Sequence, residues 1–341
     1  MTIRGVVRLT IAMVLVFTMS MNVFAGGDAE VADEQSRMAV IFPGSIQDAD
    51  YNTIGYTAMQ TVGAEFGLET AFSERVAVPD AERVLREYAT SDFGIIWVHG
   101  SQFNGAANTV APDYPDVTFI IEVDSEPAQP LPNVWYMDRN FHPGFYVLGA
   151  VAALKSESGR IGYFTGVQLP FATEEINAIY QAWNDLGFEG SLEYLFLGDF
   201  NDPVRTRQAA EGFIAQGIDV IISSVNLGNY GLYNAATDAD ADIWFTTKYT
   251  GKEVHAPENY LTSDLFDFTP PMRTVIAAYL EGAAGGYTVL EFEEGGARWP
   301  DFPIRNVDEE TNATIFDIAK QIESGEIEVI RRQDEIVGFN Q

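Results

Sequence analysis

Cysteine is absent from all 341 residues. That excludes thiol nucleophiles, disulfide staples and a lipid anchor on a cysteine behind an export signal. Lysine is scarce too, with only Lys155, Lys248, Lys252 and Lys320 in the chain. With 19 basic against 50 acidic residues the formal charge is −31. Such a field repels nucleic acid and anionic membrane surfaces, so neither is an expected partner. The acids are scattered rather than gathered into a tail, as in a solvated acidic coat suited to salt. The three histidines, His99, His142 and His255, are far apart in sequence, so no dedicated metal site is expected. Catalytic templates are missing: there is no G-x-S-x-G, no G-x-x-x-x-G-K-[ST] and no G-x-G-x-x-G. Carboxylates are so common that a pair of them carries no message. A binding protein without enzymatic activity or cofactor is expected.

Long apolar runs are also few. The longest, LTIAMVLVFTMSM, follows MTIRGVVR, which holds Arg4 and Arg8 and no acid. NVFA then places Val23 and Ala25 at the −3 and −1 positions of a cleavage site before Gly26. Residues 1–25 therefore read as a signal peptide. The alternative is a membrane anchor, for which the run is short. Because that segment holds two arginines and no acid, its removal would take the charge from −31 to −33. What is left is long enough for two lobes with their own cores. It should be exported, periplasmic, soluble and monomeric.

What is present is a rhythm. The runs MAVIF (38–42), FGIIWV (93–98), VTFII (117–121), RIGYF (160–164), LEYLFL (192–197), IDVII (218–222) and DIWFT (242–246) read as strands. Helical spacing lies between them: Ile54, Ala58, Val62 and Phe66 recur every four residues, and Val84, Leu85 and Tyr88 line PDAERVLREYATS. In FNDP, Asp202 can cap a helix with Pro203 at its first position and Gly217 past its end. Near-continuous apolar strands separated by helices mean parallel sheets covered on both faces. The fold class is α/β, with two doubly wound lobes. NVWYMDRNF with PGFYVLGAVAALKS is the expected first crossing between lobes, and YLTSDLFDF the second. Lobe one should comprise residues 36–140 with about 265–295, and lobe two residues 141–264 with about 296–341.

In open parallel sheets ligands bind beyond the carboxyl ends of the strands. Asp48, Asp50, Tyr51 and Asn52 follow the first strand there. Ser101, Gln102 and Phe103 follow the second, and Asp124 the third. Lobe two supplies Leu169, Phe200, Asn226 and Lys248 from its strand ends, and the crossings add Phe141, Asp264 and Phe268. Rings offer flat faces, while carboxylates and amides offer donors and acceptors around an edge. The set suits a planar, polar heterocycle. Several have an equally ordinary use: Asp48 as a helix cap, Tyr51 and Asn52 as turn residues, Phe200 and Phe268 as core, Lys248 as a surface charge.

In order and spacing these segments resemble the basic membrane protein family of substrate-binding proteins for ABC transporters, which includes purine nucleoside receptors. The resemblance runs from about Met38 to Gly282. Asp48-Ala-Asp50-Tyr51-Asn52 stands where the nucleoside receptors read D-x-S-F-N. LGAVAAL, GRIGYFTG, LPFATEEINAIYQAW and GDFNDP with AAEGFIAQGIDVII add to it. It implies a type I periplasmic-binding fold of two Rossmann-like lobes joined by a hinge, a small-molecule ligand in the cleft, and an ABC permease as partner. Two features depart from the nucleoside receptors. Thr247-Lys248-Tyr249 replaces an aspartate that holds ribose, and Phe266 stands near an expected lysine. A purine base gripped by rings is therefore expected ahead of a ribose contact. Riboflavin and an anionic solute are the alternative ligands, and a sensor feeding a membrane receptor is the alternative role.

Overall fold

Val, Ile and Phe runs with no polar face cannot border water, so they fold as strands covered on both sides. A computed structural model describes residues 36–338, and the signal peptide expected at 1–25 lies outside them. The chain begins β1 (Arg37–Ile41), α1 (Tyr51–Phe66), β2 (Glu69–Ser73), α2 (Ala81–Ala89), β3 (Ile95–Val98), α3 (Asn104–Val110), β4 (Thr118–Val123) and β5 (Val134–Asp138). It continues α4 (Phe141–Lys155), β6 (Arg160–Thr165), α5 (Pro170–Leu186), β7 (Ser191–Phe196), α6 (Pro203–Ala215), β8 (Val220–Ser224) and α7 (Asn229–Asp238). It closes with β9 (Trp244–Tyr249), β10 (Tyr260–Phe266), α8 (Thr269–Leu280), β11 (Gly286–Val289), β12 (Arg298–Pro300) and α9 (Glu309–Glu323).

The strands form two sheets of six, ordered β11-β5-β4-β3-β1-β2 and β12-β10-β9-β8-β6-β7. All neighbours pair in parallel except β12, which runs antiparallel along β10. Each sheet is wound outward from its first strand, with β1 between β2 and β3 and β6 between β7 and β8. Chain direction across the sheet reverses beside that strand, and the reversal opens a crevice at the strand carboxyl ends. This is the two-lobed type I fold.

Five strands are not among the runs read from sequence: the short β11 and β12, and three others, each for a physical reason. β2 is a half-exposed edge with little apolar content. β5, VWYMD, lies in the stretch expected as the first crossing, yet all five of its residues are buried. β10 falls in the stretch expected as the second crossing, and Thr262, Ser263 and Asp264 interrupt its apolar run. All three are buried and partnered: Thr262 Oγ1 donates to the Asp301 carbonyl at 2.9 Å, Ser263 Oγ lies 2.5 Å from Thr247 Oγ1, and Arg298 pairs with Asp264 through Oδ2, leaving Oδ1 unbonded. The crossing follows at 267–268, and a third, at 290–297, leads from β11 to β12.

α4 is buried around nearly its whole circumference, which removes the polar stripe a surface helix would show. Its Gly149 lets α5 approach closely: a Cβ there would sit 2.9 Å from Ile179 Cα. Trp183 Nε1 donates to the Gly149 carbonyl at 2.9 Å across the same contact. In α6, the expected cap forms, with Asp202 Oδ1 accepting from the Val204 and Arg205 amides at 3.0 Å. After α9 the chain runs back along α5, held by Asn177 and Gln181. Arg331 then reaches Asp138 at 2.5 Å, and Gln333 donates to the Asp124 carbonyl at 2.6 Å, so this tail ties both lobes at the crossing. Among the described residues no helix is long and apolar enough to cross a membrane.

Gly149→Val should lower unfolding free energy by about 1–3 kcal/mol, the usual range for overpacking a close contact. Urea denaturation of the two proteins measures it; equal midpoints would mean that α4 and α5 separate without penalty.

Candidate functional site

The carboxyl ends of both sheets border one cavity of about 280 Å³. Gly44, Tyr51, Asn52, Gln102 and Arg139 line it from the first sheet's loops. Leu169, Phe171, Phe200, Asn201, Asn226 and Tyr249 line it from the second's.

The loop after β1 is organised by Asp48. Its Oδ1 accepts from the Asp50 and Thr53 amides at 2.9 and 3.0 Å, and its Oδ2 from Asn52 Nδ2 at 2.6 Å and the Asn52 amide at 3.1 Å. These donors include the first free amides of α1, so Asp48 acts as the helix cap. Asn52 Oδ1 accepts from the Gly44 amide at 3.2 Å, and a Cβ on Gly44 would be 2.5 Å from Asn52 Nδ2. Glycine is therefore required for Asn52 to lie against this turn. Tyr51 is held from behind. Its ring stacks on His99 at 3.9 Å and its hydroxyl donates to Glu122. His99 Nδ1 lies 2.5 Å from the same carboxylate. Burial, followed by the Glu122 charge, pushes the Tyr51 hydroxyl well above the ordinary tyrosine range. Tyr51 thus offers the cavity a fixed ring, with its hydroxyl already committed.

Arg139 follows β5 directly and is 3% exposed. Its Nε and Nη2 donate to Asp124 Oδ1, and Nη2 also donates to Ser101 Oγ at 3.0 Å. The guanidinium lies 4.8 Å from the Phe141 ring and 5.2 Å from that of Phe171. Nη1 has no partner among the described residues. Burial works hardest against this charge, but the Asp124 carboxylate, with Tyr51 and Glu122 beyond it, raises Arg139 above its ordinary value. Behind the far wall Lys248 is fully buried, with Nζ 3.1 Å from Glu175 Oε1 and 4.5–4.8 Å from the rings of Phe141, Phe171 and Tyr249. Desolvation, opposed by Glu175, brings its pKa down to about 8.

The lobes also meet directly. Lys252 pairs with Asp50, and Thr250 Oγ1 lies 3.0 Å from Asp50 Oδ1. The rings of Tyr51 and Tyr249 are 5.2 Å apart across this seam. Tyr249 has φ 76°, and the Thr250 amide donates to the Lys248 carbonyl at 3.1 Å. That is the strained form of the γ-turn, rare for a bulky residue. It leads the chain from the strand into the contact with Asp50.

Six residues anticipated from sequence line the cavity: Tyr51, Asn52, Gln102, Leu169, Phe200 and Asn226. Nine stand elsewhere. Asp48 is consumed as a cap, and Asp50 by Lys252. Ser101 and Asp124 stand behind Arg139 and hold it. Lys248 and Asp264 are paired in the interior with Glu175 and Arg298. Phe103, Phe141 and Phe268 are fully buried. Phe103 packs in the first sheet's core, Phe141 lies 5.0 Å behind Phe171, and Phe268 lies 5.9 Å from Tyr51 and 5.1 Å from His99. In each case a polar group or ring found a closer internal partner. Sequence reasoning missed Arg139, Phe171, Asn201 and Tyr249. The signal for Arg139 was a charge immediately past VWYMD, visible once that stretch is recognised as a strand.

The Asn226 side chain is 6% exposed, and its Oδ1 is buried without a partner. Among the described residues neither the Asn226 carboxamide nor Arg139 Nη1 has a hydrogen-bond partner; the rest of the wall combines the rings of Tyr51, Phe171, Phe200 and Tyr249 with aliphatic side chains and the polar Asn52, Gln102, Asp199 and Asn201. Among the described residues, no three His, Asp or Glu side chains are grouped so as to hold a metal ion. The arrangement can grip a flat molecule by its faces and read its edge.

The sequence family described as ABC transporter substrate-binding protein, PnrA-like, matches residues 35–333. A putative ABC transporter glucose-binding protein of Haloferax volcanii is 26% identical, the match covering 89% of this chain and 78% of that protein. A purine-binding protein of Brucella abortus is 27% identical over 58% of this chain and 57% of its own. Among solved structures, an ABC-transporter solute-binding protein from Aeropyrum pernix superposes with a TM-score of 0.74 at 18% identity, covering 88% of this chain and 94% of that one.

Burial moves the Asp50 carboxyl from 3.8 to about 7, against the pull of Lys252. Folded chain therefore holds a proton that unfolded chain has released between these values, and the stability it contributes is lost as pH rises through about 7. Asp50→Asn should remove this component. Melting temperatures from pH 4 to pH 8 should fall for the wild type relative to Asp50→Asn as pH rises. Parallel curves would show that Lys252 neutralises the carboxylate completely.

Proposed function

This chain belongs to the PnrA-like family of ABC transporter substrate-binding proteins, and on that premise we propose that its cavity receives a purine base, a nucleoside or a similarly flat heterocycle for import. The observation that carries this reading is the convergence of Tyr51 from the first lobe with Phe171, Phe200 and Tyr249 from the second on one cavity. Aromatic faces suit a planar ligand, and each stacked base is worth roughly 1–3 kcal/mol by alanine substitution. The volume of about 280 Å³ lies just below the roughly 300–1,000 Å³ typical of drug-sized pockets. A base fits that scale better than riboflavin with its ribityl chain. The name of the Brucella relative supports the same class; that of the Haloferax relative points to a sugar.

Binding alone is the proposed activity. His99, stacked on Tyr51, is fully buried and already bound to Glu122 and the Tyr51 carbonyl. It has no line to a ligand as a general base. We take the exported, monomeric protein as delivering its ligand to an ABC permease. Its lobes, residues 36–140 with about 268–290 and 141–267 with about 297–338, turn about the crossings.

Calorimetry with purine bases, their nucleosides, riboflavin and glucose tests the ligand class, alongside mass spectrometry of whatever co-purifies. Phe200→Ala and Tyr249→Ala should each weaken binding by about 1–3 kcal/mol, roughly five- to 150-fold. Glucose binding tightly while every heterocycle fails would overturn the reading. Small-angle scattering should show a smaller radius of gyration with saturating ligand; identical curves with binding established would mean a rigid cleft.

A further inference from the structure

Flat heterocycles of one size differ in what their edges donate and accept. Two largely buried lining residues, Arg139 and Asn226, each keep a side-chain polar atom without a partner among the described residues, and these bear on that choice. Arg139, 3% exposed, lines the cavity and has spent Nε and Nη2 on Asp124 and Ser101, which leaves Nη1 without a partner among the described residues. A guanidinium has only donors and cannot reverse its role. Asn226, from the opposite lobe, has its main-chain amide fixed by the Phe200 carbonyl at 2.9 Å, while its side-chain Oδ1 is buried and unpaired. A carboxamide accepts with one atom and donates with the other, and it serves either polarity by turning over. Arg139 is therefore the group that cannot compromise.

Charge narrows the ligand further. Arg139 is already balanced by Asp124 within the same buried pair. An anionic ligand would leave one uncompensated negative charge out of water, which is strongly unfavourable. A neutral group with a strong acceptor leaves the pair balanced and gives Nη1 a partner.

We propose that Arg139 determines specificity in this cavity, selecting heterocycles with a ring carbonyl beside a ring N–H, the lactam edge of a 6-oxopurine, over 6-aminopurines. The inference rests on the heterocycle reading above. The carbonyl oxygen accepts from Arg139 Nη1. The Asn226 carboxamide supplies the acceptor for a ligand N–H. Where a 6-aminopurine presents its amino group to Arg139, donor meets donor, and a buried donor is left unsatisfied.

The test is calorimetry of the wild-type protein with hypoxanthine, adenine and unsubstituted purine. Hypoxanthine should bind about five- to 150-fold more tightly than adenine, the discrimination expected from one well-made base-edge contact. Asn226→Ala should weaken hypoxanthine without reversing the order. The double variant R139Q/D124N keeps the buried pair neutral and gives position 139 both a donor and an acceptor; its adenine-to-hypoxanthine ratio should fall to near one. If it does not fold, Arg139→Lys serves instead, keeping the charge for Asp124 while weakening hypoxanthine more than adenine. Adenine binding as well as hypoxanthine, or an unchanged ratio in the folded Arg139 variant, overturns this proposal and leaves the heterocycle reading intact. If only nucleosides bind, inosine and adenosine replace the bases in the same comparison; failure of the bases, their nucleosides and riboflavin alike overturns both.

Discussion

A carboxylate or ammonium taken out of water carries a penalty of several kcal/mol unless an opposite charge meets it in good geometry. Four such meetings lie at the seam and in the interior behind the strand ends: Asp50 with Lys252, Asp124 with Arg139, Glu175 with Lys248, and Asp264 with Arg298. In a chain with 19 basic residues against 50 acidic ones, this concentration of cations is what makes the cleft inhabitable. Without them the strand ends would present a wall of buried acids. Two of the four lysines are spent here, and the other two lie against tryptophan rings, Lys155 at 3.8 Å from Trp244 and Lys320 at 5.3 Å from Trp299.

These pairs also decide which side chains reach the cavity. Lys248 is drawn behind Phe171 and Tyr249 by Glu175, so rings stand in front of its charge. Arg139 is pinned by Asp124 and Ser101 at two of its nitrogens, which orients the third. The Asp124 side is held in turn from the tail, where Gln333 donates to the Asp124 carbonyl. Asp50 is withdrawn to the seam, where it joins the lobes instead of contacting a ligand. Paired charge thus sits one layer deep, and the surface a ligand would touch joins four aromatic rings to amide side chains and the Arg139 guanidinium.

The fold was legible where side-chain chemistry matched the environment. Apolar strands, the Asp202 cap and the alternation of strand and helix all report local preferences that tertiary structure leaves in place. Legibility failed in β10, whose Thr262, Ser263 and Asp264 look like a loop and are buried because Thr247 and Arg298 answer them from other strands. The candidate site was legible as a set of strand ends, since parallel sheets always place their loops together there. It was not legible as a set of side chains.

Sequence by itself determined the α/β class, the two windings and the aromatic and amide character of the loops, because these follow from composition and period along the chain. Tertiary structure decided which residues face the cavity. Asp48, Asp124 and Lys248 were plausible ligands on paper, and each has a nearer partner: the α1 amides, Arg139 and Glu175. Arg139 and Tyr249 became part of the wall through β5 and a strained turn. The reason is that a buried polar group takes the best partner in space, and residues such as Lys248 and Glu175, 73 positions apart, become neighbours only after the chain has folded.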